Sequence, residues 1–348
     1  LALAQEHGDP KQQLGHLGEL ANTCTQLKEY ALAIDYHEQA LTLARELDNA
    51  SQQLIHVGAL GRLYGTTNRH EQSIPLYEEA LGLARQLGDR ENEGHTLNHL
   101  GIAYTNSKDY QAASRCYQAS LAIANDLDNS ENQRINLGNL GSVYLVMQEY
   151  SQAIACYEQA LAIADRLRAR HAQHIHHGDL GNVYLVTDEE ERAIAHYEQA
   201  LAIAQELDDA SSQHSYLSNL ASVYVKLRQY QTAIDIYQRA RTFLPDQQDI
   251  RYADLLCALG LPYFLLAQYA SAVQCYEEAL VIAEQLGNRP TQRAQLSNLG
   301  ITYMAMEEYA KAVSAYERAL TLATALDDLA VQYRTWAALG GAYMLLGE

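Results

Sequence analysis

An all-α solenoid of stacked helix-turn-helix units is the fold this sequence predicts, and three observations carry the prediction. Tyr64, Tyr104, Tyr144, Tyr184, Tyr224, Tyr263, Tyr303 and Tyr343 recur at forty-residue steps, broken once by the thirty-nine from Tyr224 to Tyr263, and Cys24 holds the same place near the start. A fixed period of this size belongs to units that bury one another's apolar faces rather than to a single globular core. Within each period, apolar residues return every three or four positions, the spacing of one buried helical face. Small residues also keep register: Gly61, Gly101, Gly141, Gly181, Gly260, Gly300 and Gly340 in one half of the unit, and Ala33, Ala113, Ala153, Ala193, Ala233, Ala272 and Ala312 in the other. A helical glycine costs about 1 kcal/mol relative to alanine, so its recurrence predicts close helix approach.

Taken in order, the chain begins with Leu1 to Asp9, which matches the tail of a second helix by comparison with Leu41 to Asn49. Eight complete units follow, at approximately 11–50, 51–90, 91–130, 131–170, 171–210, 211–249, 250–289 and 290–329. The unit at 131–170 shows the logic. Leu137, Leu140, Gly141 and Tyr144 give a first helix over Asn132 to Val146. After a break at Gln148-Glu149, Tyr150, Ala153, Ile154, Tyr157, Ala160, Leu161 and Ile163 give a second. Asp48-Asn49, Gly88-Asp89, Asp128-Asn129, Asp208-Asp209, Gly287-Asn288 and Asp327-Asp328 suit the turns between units. Ala330 to Glu348 matches a first helix without its partner. These incomplete ends, with no initiating Met, read as a segment of a longer array. Their complementary apolar surfaces are expected to permit head-to-tail self-association.

The pattern L-G-x-x-Y, A-x-x-x-Y, A-L, carried by Leu140, Gly141, Tyr144, Ala153, Tyr157, Ala160 and Leu161, resembles the tetratricopeptide repeat family. Leu137 fills the family's bulky first position, and Trp336 fills it most typically. The resemblance covers essentially the whole chain and implies a right-handed α-α superhelix of about eight units plus a half unit at each end. The forty-residue length is similar to the repeats of kinesin light chains, Pins-type adaptors, and bacterial arrays attached to signalling NTPases or caspase-like peptidases.

Composition predicts a soluble cytoplasmic protein. The formal net charge of −19 at pH 7 opposes nonspecific adhesion to nucleic acid or anionic membrane, so neither is expected as a partner. The longest uncharged apolar stretch, Leu255 to Ala267, is too short to span a bilayer. Five cysteines without C-x-x-C, three of them (Cys116, Cys156 and Cys275) at one repeat position, are expected to be small packing residues. Asn49-Ala50-Ser51 is a formal glycosylation acceptor of little weight here.

Catalytic motifs are missing from the sequence: it has no phosphate loop, no nucleophile elbow and no dinucleotide fingerprint. A non-enzyme without a cofactor is expected. His70-Glu71 begins like a zinc-protease helix, but Ile74 stands where the second histidine belongs and Pro75 follows. His171, His174, His176 and His177 are close enough to suggest a metal, yet only His177 falls on the buried stripe while His171 and His174 point elsewhere. Solvated or packing roles are expected for them. His95 and His99 form half a metal site that no Cys or carboxylate completes, so no bound metal is expected.

Function is therefore expected on the helix face that packing leaves unused. In the resembled family, first helices line the concave surface. A helical wheel places Ile135, Gly138, Asn139, Ser142 and Val146 on that face, with His95, Asn98, His99 and Ile102, then Ile175, Asp179, Asn182 and Val186, then Asn219, Ser222 and Lys226 in other units. Asparagine recurs as Asn22, Asn98, Asn139, Asn182, Asn219 and Asn298. Its amide both donates and accepts, which suits an extended peptide backbone. Gln13, Gln53, Gln133, Gln173, Gln213, Gln292 and Gln332 recur nearer the buried side and are expected to bond inter-repeat turns. One unit is irregular: Pro245 interrupts its start and Pro262 lies inside its first helix, predicting a kink. Ala258, Leu261, Phe264, Leu265, Ile301 and Met304 make its face apolar, a pocket for a partner's anchor side chain. The expected function is noncatalytic protein or peptide binding within a larger signalling protein. The alternatives are the regulatory arm of an NTPase or peptidase, and a self-assembling array.

Overall fold

The structure, a computed structural model, describes residues 9–244 and 249–347, and all regular structure among them is helical. Two compact units result, Leu1–Ala172 and Gln173–Glu348. The first holds α1 (Pro10–Gln26), α2 (Tyr30–Glu46), α3 (Ala50–Thr66), α4 (His70–Leu87), α5 (Arg90–Asn106), α6 (Tyr110–Asp126), α7 (Ser130–Val146), α8 (Tyr150–Leu167) and the start of α9 (Arg170–Val186). The second holds the rest of α9, then α10 (Glu190–Glu206), α11 (Ala210–Lys226), α12 (Tyr230–Arg241), α13 (Ile250–Leu265), α14 (Tyr269–Gln285), α15 (Arg289–Ala305), α16 (Tyr309–Ala325) and α17 (Leu329–Leu346). Odd-numbered helices are the first members of the hairpins and even-numbered helices the second.

The turns between hairpins follow their side-chain chemistry. Asp48, Gly88, Asp128, Asp208, Gly287 and Asp327 all take positive φ, a conformation that short polar residues and glycine reach at least cost. The next residue caps the following first helix: Asn49, Asp89, Asn129, Asp209, Asn288 and Asp328 each accept the backbone N–H three residues on. Such a cap contributes about 1 kcal/mol. Turns inside the hairpins also pass through positive φ, at Lys28, Lys108, Gln148, Arg228 and Ala267, where residue type gives no warning.

Glycine recurrence has a steric cause. A Cβ added at Gly61, Gly101, Gly141, Gly181, Gly260 or Gly300 would lie 2.4–2.8 Å from the second-helix ring sixteen residues on: Tyr77, Tyr117, Tyr157, Tyr197, Tyr276 or Tyr316. The alanines Ala113, Ala153, Ala193, Ala233, Ala272 and Ala312 are wholly buried on the opposing helices. Gly340 departs from the expectation: a Cβ there would meet nothing within 4 Å. Trp336 departs too, being 59% exposed where its counterpart Leu137 is 5% exposed. Both lie on α17, which packs chiefly against α16.

The recurrent first-helix tyrosine ties successive hairpins together. Tyr104, Tyr303 and Tyr343 donate hydroxyl hydrogen bonds to Glu78, Glu277 and Glu317, and Tyr144 and Tyr263 accept from Gln118 and Gln238, at 2.6–3.0 Å. The recurrent glutamine adds a second tie. Gln53, Gln133, Gln213, Gln292 and Gln332 donate to the carbonyls of Ala44, Ala124, Ala204, Ala283 and Ala323 at 2.9–3.3 Å, on the last turn of the preceding helix. Gln213→Met is expected to lower the unfolding free energy by about 0.5–1.5 kcal/mol in a urea titration. An unchanged midpoint would show that the bond adds nothing.

Pro262 does not end its helix: α13 continues to Leu265. Pro245 lies outside the described residues, as do Leu1 and Leu3. Cys156 and Cys275 are buried and Cys116 half-buried, and burial pushes all three thiols up to about 11, away from thiolate reactivity.

Candidate functional site

In the first unit, the exposed stripe of first helices α3, α5 and α7 carries a lateral ladder of short polar side chains. Asn98 Nδ2 donates to Asn136 Oδ1 at 2.9 Å, and Asn132 Nδ2 lies 3.1 Å from His95 Nε2. Ser142 bonds the Tyr157 hydroxyl at 3.0 Å. Asn139, half-buried on the same face, has no hydrogen-bond partner among the described residues. His99 stacks on the Tyr77 ring at 5.7 Å, and burial, then the charge of Arg62, hold it neutral down to about pH 4. His95 and His99 are thus occupied separately, one by an amide and one by a ring.

The second unit repeats the theme with different residues. Asn182 Oδ1 accepts from the Tyr197 hydroxyl at 2.7 Å and from Asn219 Nδ2 at 3.3 Å. Ser222 bonds the Tyr237 hydroxyl at 2.8 Å. Lys226 pairs with Asp188 and with Glu190 at 3.1 Å and donates to the Leu185 carbonyl, so its charge is already neutralised. Asn298 Nδ2 contacts only Cys257 Sγ, at 3.6 Å. Leu261, Leu265 and Ile301 are exposed and Ala258 is half-buried. Phe264 and Met304 are committed elsewhere, Phe264 against the Tyr276–Leu296 core and Met304 against the Val313–Leu339 core.

The histidine cluster differs from expectation. His174 does not point away from the packing: it is buried, its Nδ1 is 3.0 Å from the Tyr216 hydroxyl, and that hydroxyl donates to the His174 carbonyl at 2.9 Å. His176 is buried 3.4 Å from Asp179, and His177 Nδ1 lies 3.0 Å from His196 Nδ1. The wheel failed because adjacent first helices touch one another, which buries a flank that would be solvent-exposed on an isolated hairpin. Among the described residues, no three His, Cys, Asp or Glu side chains gather as metal ligands.

Sequence reasoning missed the second-helix tyrosines as members of this face. Tyr117, Tyr157 and Tyr197 pass their rings beneath the gaps at Gly101, Gly141 and Gly181 and bond Thr105, Ser142 and Asn182, and Tyr237, with Ala221 in the glycine position, bonds Ser222. The sixteen-residue Gly-to-Tyr spacing was the available signal. Links between second helices are of another kind, long Arg–Glu pairs such as Arg45–Glu79, Arg241–Glu278 and Arg318–Glu284 at 2.5–3.5 Å. No helix among the described residues is long and apolar enough to cross a membrane.

The model of the tetratricopeptide repeat family matches residues 13–86, 92–166, 171–246 and 251–325. The chain belongs to the tetratricopeptide repeat family. No curated protein sequence matches it. Solved tetratricopeptide structures share its fold at low identity. The apo quorum sensor NprR from B. thuringiensis is 16% identical, with TM-score 0.65 over 90% of this chain and 87% of that one. A signal transduction ATPase with numerous domains and a tetratricopeptide repeat sensor, from Pyrococcus horikoshii, is 14% identical, with TM-score 0.71 over 96% of this chain and 50% of that one. Kinesin light chain-like repeats from Podosopora anserina are 20% identical, with TM-score 0.51 over 58% of this chain and all of that one. The tetratricopeptide fold is that of a protein-interaction scaffold.

Proposed function

We propose that the chain is a noncatalytic scaffold that binds an extended protein segment along the first-helix stripe of its units. The observation that carries this reading is unspent hydrogen-bonding capacity among exposed apolar side chains on a face that packing leaves open. Asn139 is unbonded, Asn182 uses only its oxygen, and Asn219 uses one N–H. Ile102, Ile175, Val186, Leu261 and Ile301 stand exposed along the same stripe. Short side chains bridge first helices, whereas long Arg–Glu pairs bridge second helices among the described residues, a difference that supports reading the first helices as the binding face. Leu261, Leu265 and Ile301 offer an apolar anchor point in the second unit.

The test uses a linear peptide selected by display against the chain. Asn139→Ala, Asn182→Ala and Asn219→Ala together are expected to weaken its binding at least tenfold, from about 0.5–1.5 kcal/mol per lost hydrogen bond, with helical circular dichroism intact. Unchanged affinity sinks the reading. Service as the sensor arm of a larger signalling protein is the more specific form of this function, supported by the repeat sensor of the Pyrococcus horikoshii ATPase, whose length this chain half covers.

A further inference from the structure

A cavity of about 530 Å³ opens on the second-helix side of the first unit, between α2 and α4. Its floor is apolar: Leu41 comes from α2, Leu60 and the Tyr64 ring from α3, and Pro75 and Leu76 from α4. A cavity of about 470 Å³ holds the same place in the second unit, between α14 and α16 over Tyr303. The wall given by the later helix differs between them. Lys311, Ser314 and Ala315 line the second-unit cavity where Gln72, Pro75 and Leu76 line the first, so the first is more apolar and lacks that cation.

The two cavities also differ in how their charges are met. In the second unit, Lys311 and Arg318 balance Glu277 and Glu284. Glu284 pairs with Arg318 at 2.7 Å, Glu277 accepts from the Tyr303 hydroxyl at 2.8 Å, and Lys311 lies 5.3 Å from the centre of the Tyr303 ring. In the first unit, Arg45 is drawn to Glu79 at 2.5 Å, and Gln72 brings no charge. Glu38 is exposed at the mouth, with the Tyr64 hydroxyl 3.4 Å from its carboxylate and no ion pair among the described residues. Arg69 stacks on the Tyr64 ring, 5.3 Å from its centre, without pairing with Glu38.

An apolar floor beside an unpaired carboxylate is complementary to a large apolar side chain with a cation next to it. The walls decide the form of the segment that carries them. Helices spend their backbone N–H and C=O groups internally, so an extended strand finds no edge here to pair with. A helix, whose own backbone is already satisfied, needs only to lay side chains into the groove.

We infer that this cavity is a second docking surface, taking an amphipathic helix of a partner protein that carries a large aliphatic side chain and, one turn away, a Lys or Arg that meets Glu38. It lies on the second-helix side and does not depend on the first-helix reading above. The net charge of −19 attracts a basic helix from any direction; Glu38 and the apolar floor give it one location.

A fluorescein-labelled, alanine-rich helical peptide with Leu and Lys four residues apart tests this, beside two companions in which Gln replaces that Lys or Ser replaces that Leu. Fluorescence polarisation on the whole chain is expected to show each companion binding at least fivefold more weakly. Glu38→Gln, at an exposed position, and Gln72→Lys, which supplies the cation that the second-unit cavity already has, are each expected to cut the affinity of the Leu-Lys peptide at least threefold. Both should leave the Gln companion's affinity and the melting temperature unchanged. One charge in a net −19 barely alters nonspecific attraction, so such a loss reports the site itself. Equal binding of the three peptides, no binding of the Leu-Lys peptide, or a preference that survives both substitutions overturns this inference and leaves the first-helix reading standing. The display-selected peptide is expected not to displace the Leu-Lys peptide, and displacement would overturn the claim of a second surface.

Discussion

Gly181→Ala is expected to destabilise the chain by about 1–3 kcal/mol, whereas Gly340→Ala is expected to stabilise it by up to about 1 kcal/mol, although the two glycines hold the same place in the repeat. Alanine is the better helix former at both. At Gly181 the new methyl would stand 2.6 Å from Cε1 of Tyr197, a wholly buried ring that has nowhere to retreat. At Gly340 nothing lies within 4 Å, so only the propensity gain remains. The complementary change, Tyr197→Ala, empties the gap and is expected to cost about 3–5 kcal/mol, the largest single loss foreseen. Urea denaturation of the three variants reads all these effects, and opposite signs at the two glycines are the diagnostic result. If Gly181→Ala is neutral, the gap is not closed by the ring and the packing account fails.

Acidification from neutral pH toward about pH 4 is expected to weaken the first unit through His37 and His56. His37 stands where other repeats place a buried tyrosine, and its Nδ1 lies 3.1 Å from Nδ1 of His56, both rings being buried. One proton can lie between the two nitrogens; a second charges a site with no carboxylate partner among the described residues. Burial first, then His56 and Arg62, lower His37 from 6.5 to about 4, and burial lowers His56 as well. The sign follows from proton binding. Between about pH 6.5 and 4 the unfolded chain binds protons that the folded chain refuses, so stability is full above that window and falls with pH inside it. A loss of roughly 1–2 kcal/mol for the pair is expected, below the full shift because the site relaxes on protonation. The whole chain is compared with His37→Gln at pH 7.5 and 4.5 by chemical denaturation, since carboxylate titration contributes equally to both. A pH dependence that the substitution leaves untouched would falsify the assignment.

Hairpin packing was legible in the sequence because it is written in local periodicity: a stripe every three or four residues, a capping residue in most inter-repeat turns, and a glycine at most tight approaches. The glutamine ties were legible too, since a polar residue kept near the buried side needs a partner, and the carbonyls on the last turn of the preceding helix supply one. What depends on a neighbouring helix was not. Trp336 looks like a core residue by pattern and is exposed, because exposure is set by whichever element packs on α17 and not by α17 itself. His174 looks solvated on a lone wheel and is buried by the adjacent first helix. The asparagines of the candidate face prove partly spent on one another. The tyrosine hydroxyls beneath it became visible only when the glycine gaps were seen to point their rings through.

Site-specific photocrosslinking tests the central claim, that the first-helix stripe is the binding surface. A photoreactive side chain is placed singly at Asn139, Ser222 or Ile301 on that stripe, and at exposed Glu158 or Glu198 on the second helices, with the display-selected peptide as target. Efficient crosslinks from the three stripe positions and none from the two second-helix positions are the predicted result. Crosslinks concentrated at Glu158 or Glu198 would contradict it.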